Sequence, residues 1–345
     1  MKTQEIEFFN VAELRDGVIY RFPECVCNAL NIPEFDAQGR FLRLYSGHRA
    51  AARSSYGVEL RFVTEAKKLT VCMQSDRSFL LTAYNGDFQC GFLSAQAGKT
   101  EWELSRNVAL KGLEARLQHR FSKNVWRIAA EGDGNIRLLE VRTENGERLR
   151  APSAEEEPAF RLLAYGSSIS QGVGTPFPQL NYLNTAAQIL GIDILNKAIS
   201  GGCFCERETV EYLCGEQFDA VCLEPGTNIA DRPPEVIEDR VGHLIDTFCL
   251  RFPNKKIFVL TPVRGLSDVS STASDYRDNF AKSRKVITGH AAKHKNAILL
   301  DGHALLSEGY FLAADLLHPS AFGHVCMGHR LADMLKKYLT EGEDA

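Results

Sequence analysis

The spacing of apolar residues changes near residue 155, and this change constrains the possible folds more than any other feature. Before it, short stretches of alternating apolar and polar residues are separated by turn sequences. After it, short apolar runs alternate with longer stretches of helical periodicity. Residues 151–158 are polar, acidic and bracketed by Pro152 and Pro158, which cannot continue a helix or a ladder. We therefore expect two domains, at 1–152 and 160–345, joined by a linker at 153–159.

The first half has the pattern of an all-β sandwich. Tight-turn sequences such as Asn85-Gly86-Asp87 and Glu144-Asn145-Gly146 supply the residues with positive φ that hairpins need. Several short strands at such spacing are typical of a sandwich, of which the jelly roll is one form. The predicted strands are 17–22, 40–45, 58–63, 68–73, 78–84, 101–105, 125–130 and 136–142.

The second half has the pattern of a parallel sheet covered by helices on both faces, because its strand candidates are continuously apolar and its connections are long. This predicts a three-layer, flavodoxin-like α/β/α sandwich with a five-stranded sheet. The predicted strands are 161–165, 192–198, 220–224, 256–261 and 297–301, and the predicted helices are 178–190, 206–213, 234–249, 275–294 and 320–339.

The composition argues against nucleic-acid and membrane partners. The 44 Asp and Glu residues outnumber the 40 Lys and Arg residues, for a formal net charge of −4, and no basic stripe is interleaved with aromatic residues. A phosphate-backbone binder carries such a stripe. No run of about 18 apolar residues occurs, so we expect no membrane span. The open edges of the sandwich can pair with a second copy, so a homo-oligomer stays an open expectation.

The cysteines and the N-terminal residues predict a cytoplasmic location. Residues 1–9 lack the basic segment, apolar run and cleavage site of a secretory signal. The ten cysteines are scattered or form Cys-x-Cys pairs, without the repeats of a zinc site. We expect free thiols in a reducing compartment. His303, His324 and His329 are close in sequence but show no ligand spacing, so we expect structural roles and no metal.

In an open parallel sheet, ligands bind beyond the carboxyl ends of the strands. The first such loop contains Gly166-Ser167-Ser168, whose small residues permit a sharp turn with an exposed hydroxyl. Taken alone, this segment is as readily a solvated turn. It lacks the lysine and the spacing of a phosphate-binding loop.

The loops after the second and third strands contain Gly201 and Asn228. A glycine N–H and an asparagine amide, with the N–H of the serine, would cradle the oxyanion of an acyl-transfer intermediate. Each loop taken singly is equally consistent with ordinary turn chemistry.

After the last strand, Asp315 precedes His318 by three residues. This spacing lets the carboxylate accept a hydrogen bond from one imidazole nitrogen while the other faces a serine. A lone histidine near a helix start is more often structural. The order of the four signals and their positions at strand ends favour a common site.

Together, Gly166-Ser167-Ser168, Gly201, Gly226-Thr227-Asn228 and the segment from Asp315 to His318 resemble the four sequence blocks of the SGNH (GDSL-like) hydrolases. The resemblance covers about residues 160–340. It implies that Ser168 is the nucleophile, His318 the base and Asp315 the third triad member, with Ser168, Gly201 and Asn228 as oxyanion donors. Most relatives have Gly-Asp-Ser where this chain has Gly166-Ser167-Ser168. The serine at the second position makes Ser167 a second candidate nucleophile. A looser resemblance, to proteins with a preceding β-sandwich, points to carbohydrate esterases and acyl esterases or acyltransferases.

These observations predict a serine esterase that hydrolyses short-chain, O-acetyl-like esters of a sugar or small polar molecule without a cofactor. The alternative enzyme is an acyltransferase that uses the same triad with an acceptor other than water. A third, non-enzymatic hypothesis is a glycan-binding relative that acts through its sandwich. Glu224 ends the third strand of this half, where it could contact substrate or support the loop. The sequence does not choose between these two roles.

Overall fold

In the computed structural model, the described residues are 3, 5–30, 32–35, 41–45, 48–114, 119–132, 134–271 and 274–339. The chain divides into two units, residues 1–27 with 50–159 and residues 28–49 with 160–345. None of the helices in this part of the chain is long and apolar enough to cross a membrane.

The strands and helices up to residue 159 are, in chain order, β1 (Glu7–Phe9), β2 (Glu13–Arg15), β3 (Val18–Tyr20), α1 (Glu24–Ala29), β4 (Ile32–Phe35), β5 (Phe41–Tyr45), α2 (His48–Arg53), β6 (Val58–Val63), β7 (Lys68–Ser75), β8 (Phe79–Asn85), β9 (Phe88–Ala95), β10 (Gly98–Ser105), β11 (Val125–Glu131) and β12 (Ile136–Thr143). Those after it are β13 (Arg161–Gly166), α3 (Ser168–Gln171), α4 (Tyr182–Leu190), β14 (Asp193–Asn196), α5 (Arg207–Cys214), β15 (Ala220–Glu224), α6 (Pro234–Arg251), β16 (Ile257–Leu260), α7 (Leu266–Val269), α8 (Ser274–Ala291), β17 (Ala297–Leu300), α9 (Gly302–Leu305) and α10 (Ala321–Leu339).

The first unit is a sandwich of two antiparallel sheets, with strand orders β1-β6-β11-β8-β9 and β10-β7-β12-β3-β2 among the described residues. One apolar core draws on both sheets, for example on Phe62 and Ile128 from the first and Val71 and Ile136 from the second. The predicted all-β sandwich is confirmed, and the jelly-roll form stays a prediction. Strands β1, β2, β4 and β9 were not predicted, because three are very short and β9 exposes much of its surface.

The first unit also buries charge, which the alternating pattern did not suggest. Arg61 is 1% exposed and donates to Glu59 Oε2 at 2.8 Å, while Arg127 donates to Glu59 Oε1 at 2.6 Å. Burial alone would raise the pKa of Glu59, but the two arginines hold it well below its usual range. The Arg61 guanidinium lies 3.5 Å from the Phe9 ring centroid, so aromatic contact helps to offset its desolvation.

Residues 28–49 are grouped with the second unit, whereas the predicted boundary placed them in the first domain. The two changes of unit, at residues 27/28 and 49/50, fall within helices α1 and α2. Within the second unit, the His48 ring lies 5.5 Å from that of Phe204, and the missing side chain of Gly202 makes room for His48. The sequence did not indicate that residues 28–49 belong to the second unit, because the linker signal at 151–158 marks only the later passage from the first unit to the second.

The second unit contains, within the described residues, a parallel sheet of order β14-β13-β15-β16-β17. Helix α4 packs on α10 and α6 packs on α8, which makes the predicted three-layer α/β/α arrangement. All the predicted strands and helices of this half are present with small shifts at their ends. Helix α4 begins late because Asn181 caps it by accepting a hydrogen bond from Asn184 N. The strand order reverses between β13 and β15, where ligands bind in such sheets.

Helices α6 and α8 meet at a glycine. The His290 ring on α8 lies directly over Gly242 of α6 and is held by Glu238 Oε1 at 2.7 Å and by Asp246 at 3.0 Å. A Cβ at residue 242 would come within 2.6 Å of His290 Nε2. The ring is tethered on both sides, so it cannot move away cheaply.

We therefore expect Gly242→Ala to destabilise the second unit by about 1–3 kcal/mol, the usual cost of overpacking. The matched control is Gly289→Ala on α8, where a Cβ meets nothing within 4 Å. That change should be neutral or stabilising by up to about 1 kcal/mol, because alanine favours helix over glycine. Urea unfolding of both variants measures the difference, and equal stabilities would contradict the packing argument.

Candidate active site

The site begins at the sharp turn between β13 and α3. Gly166 ends the strand, and a Cβ there would lie 2.5 Å from Ser170 Oγ and 2.7 Å from Glu224 Oε2, so only glycine fits. Ser168 is the first residue of α3, and its side chain is largely buried in the turn. Gly172 ends the short helix in the left-handed conformation with φ of 113°.

The two serines of this turn have different partners. Ser167 is fully buried; its hydroxyl accepts from Ile169 N at 3.2 Å and donates to Glu224 Oε2 at 2.7 Å. The Ser168 hydroxyl lies 2.8 Å from His318 Nε2. Since the proton of Ser167 is engaged by a buried carboxylate, Ser168 is the better candidate nucleophile.

His318 is oriented by the loop that precedes α10. Its Nδ1 lies 2.7 Å from Asp315 Oδ2, and Asp315 Oδ1 accepts from the N–H groups of Leu317 and His318 at 3.0 Å each. Leu316 takes a left-handed φ of 54°, which lets the loop fold back on itself. Partial burial acts to raise the pKa of Asp315, but hydrogen bonds from His318 and the backbone lower it to about 2. An ionised Asp315 favours the tautomer with the proton on Nδ1, which leaves Nε2 to accept from Ser168.

The segment that follows α3 packs against the residue after His318. Gly174, with φ of 108°, packs so closely against the Pro319 carbonyl that a side chain there would overlap it. The preceding carbonyl, of Val173, accepts a hydrogen bond from Nε2 of the fully buried His324 at 3.0 Å. His324 thus has the structural role that its sequence position suggested, and burial lowers its pKa to about 4.

The two remaining predicted residues lie in the loops after β14 and β15. Asn228 Oδ1 accepts from Cys203 N at 3.0 Å, which leaves its NH₂ group to point elsewhere. Gly201 has φ of 65°, and a Cβ there would meet nothing within 4 Å, so backbone conformation rather than crowding favours the glycine. The loops of Gly201 and Asn228 are therefore linked through Cys203.

Glu224 is the residue that the sequence reasoning left unassigned. It lies at the carboxyl end of β15, is 1% exposed and accepts hydrogen bonds from Ser167 and Ser170 in the turn that contains Ser168. Burial raises its pKa. The available signal was a carboxylate at the end of a continuously apolar strand, but its partners Ser167 and Ser170 lie more than 50 residues away along the chain.

A cavity of about 570 Å³ opens beside these residues, within the size range of small-molecule sites. It combines apolar and polar side chains from four segments of the second unit. Its lining residues are Thr227, Asn228, Ala230, Asp231, Leu266, Asn279, Phe280, Asp315 and Leu317.

The other histidines near the site make contacts of their own. His303 Nε2 lies 3.1 Å from Asp268 Oδ1 and also contacts Arg284. Among the residues that the structure describes, no group of three or more His, Cys, Asp or Glu side chains is arranged to hold a metal ion.

No family model and no curated protein matches the sequence. Solved structures do match. The salicylyl-acyltransferase SsfX3 from a tetracycline biosynthetic pathway aligns at 17% identity with a TM-score of 0.73, covering 99% of this chain and 98% of that one. A structure described as a GDSL-like lipase, from Bacteroides ovatus, aligns at 16% identity with a TM-score of 0.70, covering 97% of this chain and 96% of that one.

A family two carbohydrate esterase from Clostridium thermocellum, solved with cellohexaose, aligns at 16% identity with a TM-score of 0.58. The alignment covers 83% of this chain and 94% of the esterase. These similarities establish the fold: the chain shares the α/β architecture with an additional β unit that is found in GDSL-like and family two carbohydrate esterase structures.

The burial of His324 predicts a pH-dependent stability. Its pKa of about 4 in the folded protein lies below its unfolded value of about 6.5, so protonation favours the unfolded chain. The stabilisation is present at pH 7 and is lost as the pH falls from 6.5 towards 4, by about 2 kcal/mol at pH 5.

His324→Gln keeps a donor for the Val173 carbonyl but does not titrate. We expect the wild type to lose about 2 kcal/mol more unfolding free energy than this variant between pH 7 and pH 5. Urea unfolding at the two pH values measures this, and identical pH dependence in both proteins would show that His324 is not the responsible group.

Proposed function

We propose that the protein is a serine esterase in which Ser168 attacks the ester, His318 is the general base and Asp315 orients and stabilises His318. The observation that carries this proposal is the continuous hydrogen-bonded chain from Ser168 Oγ through the His318 ring to the Asp315 carboxylate. This chain ends on a serine at the first residue of a helix, at the point where the sheet reverses its strand order.

In the acylation step, Ser168 Oγ bonds to the ester carbonyl carbon while its proton moves to His318 Nε2. The imidazolium that forms is stabilised by the ionised Asp315. The tetrahedral intermediate then breaks its bond to the alcohol oxygen, which takes the proton from His318. In the deacylation step, water attacks the acyl-serine carbonyl carbon while His318 takes its proton. The acid is then released as Ser168 Oγ takes that proton back. No cofactor is needed for either step.

The oxyanion of each intermediate would be bound by the N–H groups of Ser168 and Gly201 and by the side-chain amide of Asn228. The hydrogen bond from Cys203 N to Asn228 Oδ1 supports the last assignment, because it directs the NH₂ group away from the backbone. Preorganised donors of this kind commonly contribute a factor of about 10²–10³ each to kcat.

The proposed substrates are short-chain esters, such as O-acetyl esters, of a sugar or small polar molecule. The cavity beside Asn228 and Asp315 is far larger than an acetyl group requires, so it is assigned to the alcohol part. Its polar residues Asp231 and Asn279 and its aromatic Phe280 suit a polar alcohol with one apolar face. The similarity to a carbohydrate esterase solved with cellohexaose is consistent with this assignment.

The alternative function is acyl transfer to an acceptor other than water. The similarity to a salicylyl-acyltransferase over nearly the whole chain supports this alternative. The same three side chains would serve both reactions, which differ in how well the site excludes water. Product partition between water and an added sugar or alcohol acceptor separates the two.

A cytoplasmic location is part of the proposal. All ten cysteines lie in the described residues and are free thiols. Free thiols persist in reducing compartments.

We expect Ser168→Ala to lower kcat for p-nitrophenyl acetate by at least about 10³-fold and to abolish labelling by a fluorophosphonate, because the nucleophile is removed. Ser167→Ala is the matched control and should still be labelled. Labelling that survives in Ser168→Ala and is lost in Ser167→Ala would identify the other serine as the nucleophile. Glycan binding without turnover or labelling would favour a non-catalytic protein.

Among p-nitrophenyl acetate, butyrate and octanoate, kcat/KM should fall as the chain lengthens, because the cavity is assigned to the alcohol. Initial rates at neutral pH measure this order. Faster hydrolysis of octanoate than of acetate would assign the cavity to the acyl group instead.

A further inference from the structure

The Glu224 carboxylate connects two loops of the site. Oε2 accepts hydrogen bonds from Ser167 N at 2.8 Å, Ser167 Oγ at 2.7 Å and Ser170 Oγ at 3.0 Å. Oε1 accepts from Thr227 Oγ1 at 2.7 Å. One carboxylate therefore bonds to the residue before Ser168 and to the residue before Asn228.

All four donors are neutral groups. A carboxylate group offers about four acceptor positions, and four donors surround that of Glu224. A side chain that is 99% buried is stabilised here by fixed dipoles, and each of these dipoles is thereby held in one orientation.

The contact with the turn that contains Ser168 involves three donor groups on two residues, Ser167 and Ser170. Ser167 donates through both its backbone and its hydroxyl, and Ser170 donates from the next turn of the chain. The Ser170 hydroxyl also lies 2.6 Å from that of Tyr182, which can donate to it. The carboxylate occupies the space that Gly166 leaves by having no side chain.

The contact with the Asn228 loop runs through Thr227 and is reinforced by Cys203. The Cys203 thiol lies 3.6 Å from the Glu224 carbonyl, and its N–H donates to Asn228 Oδ1. Asn228 is thus positioned from two sides, by its neighbour Thr227 and by Cys203.

We infer that Glu224 is a positioning residue that sets the Ser168 turn against the Asn228 amide, so that the serine N–H and the amide meet the same oxyanion. This inference rests on the proposed function. It assigns no contact with substrate to Glu224. Its effect is expected on the transition state, where the oxyanion develops, and so on kcat rather than KM.

The direct test is Glu224→Gln, which keeps the size of the side chain. Its carbonyl oxygen can retain the three donors of Ser167 and Ser170, while its NH₂ group faces Thr227, whose hydroxyl must change from donor to acceptor and turn accordingly. We expect kcat to fall by roughly 10- to 100-fold, the scale of a displacement of about 1 Å at a reacting centre, with KM changed by less than about threefold.

Thr227→Val tests the same connection without altering the carboxylate, in case Glu224→Gln folds poorly. It should lower kcat by roughly 10-fold, and Thr227→Ser, which restores the hydroxyl, should recover most of that loss. The matched control is Thr209→Val, because Thr209 is buried on α5 and its hydroxyl has no hydrogen-bond partner among the described residues. This control should leave kcat and KM at wild-type values.

A double-mutant cycle distinguishes positioning from general loosening of the fold. If Glu224 acts through Asn228, Glu224→Gln should cost much less in an Asn228→Ala background than in the wild type. Equal costs in both backgrounds, or wild-type kcat in Glu224→Gln and Thr227→Val, would overturn the inference while the esterase assignment stands. Absence of both turnover and fluorophosphonate labelling in the wild type would overturn the proposed function and this inference together.

Discussion

The parallel pairing of β13 with β15 is the constraint on which the site depends. Its register sets Gly166 opposite Glu224 at the carboxyl ends of the two strands. Because Gly166 has no side chain, the carboxylate fits against the turn that follows β13 and takes up the donors of Ser167 and Ser170. The same turn carries Ser168, whose hydroxyl lies 2.8 Å from His318 Nε2.

The protein buries carboxylates in two ways, with different physical consequences. In the first unit, Glu59 is paired with two arginines, and those charges hold its pKa low. In the second unit, Glu224 is bound by neutral donors, and burial raises its pKa. Both carboxylates are held by several directional hydrogen bonds, which come from guanidinium groups at Glu59 and from neutral hydroxyl and backbone groups at Glu224.

The architecture is shared with an acyltransferase, a GDSL-like lipase and a carbohydrate esterase at 16–17% identity. Similar folds thus carry different activities, and the fold by itself does not identify the reaction. Here the cavity draws on α7 and α8 as well as on the loops of Asn228 and Asp315. Phe280 and Asn279 line this cavity and have no part in the proposed chemistry.

The amino-acid sequence by itself determined the features that depend on neighbouring residues. The periods of the apolar residues predicted a β-sandwich followed by a parallel α/β unit, and the spacing of Asp315 and His318 predicted their hydrogen bond. Only the tertiary structure decided contacts between distant segments. The contact of Ser167 with Glu224 distinguishes Ser167 from Ser168 as a candidate nucleophile, and residues 28–49 join the second unit. The physical reason is that periodicity and turn chemistry act over a few residues, whereas partners of a buried polar group are chosen by strand register and packing, which no local pattern encodes.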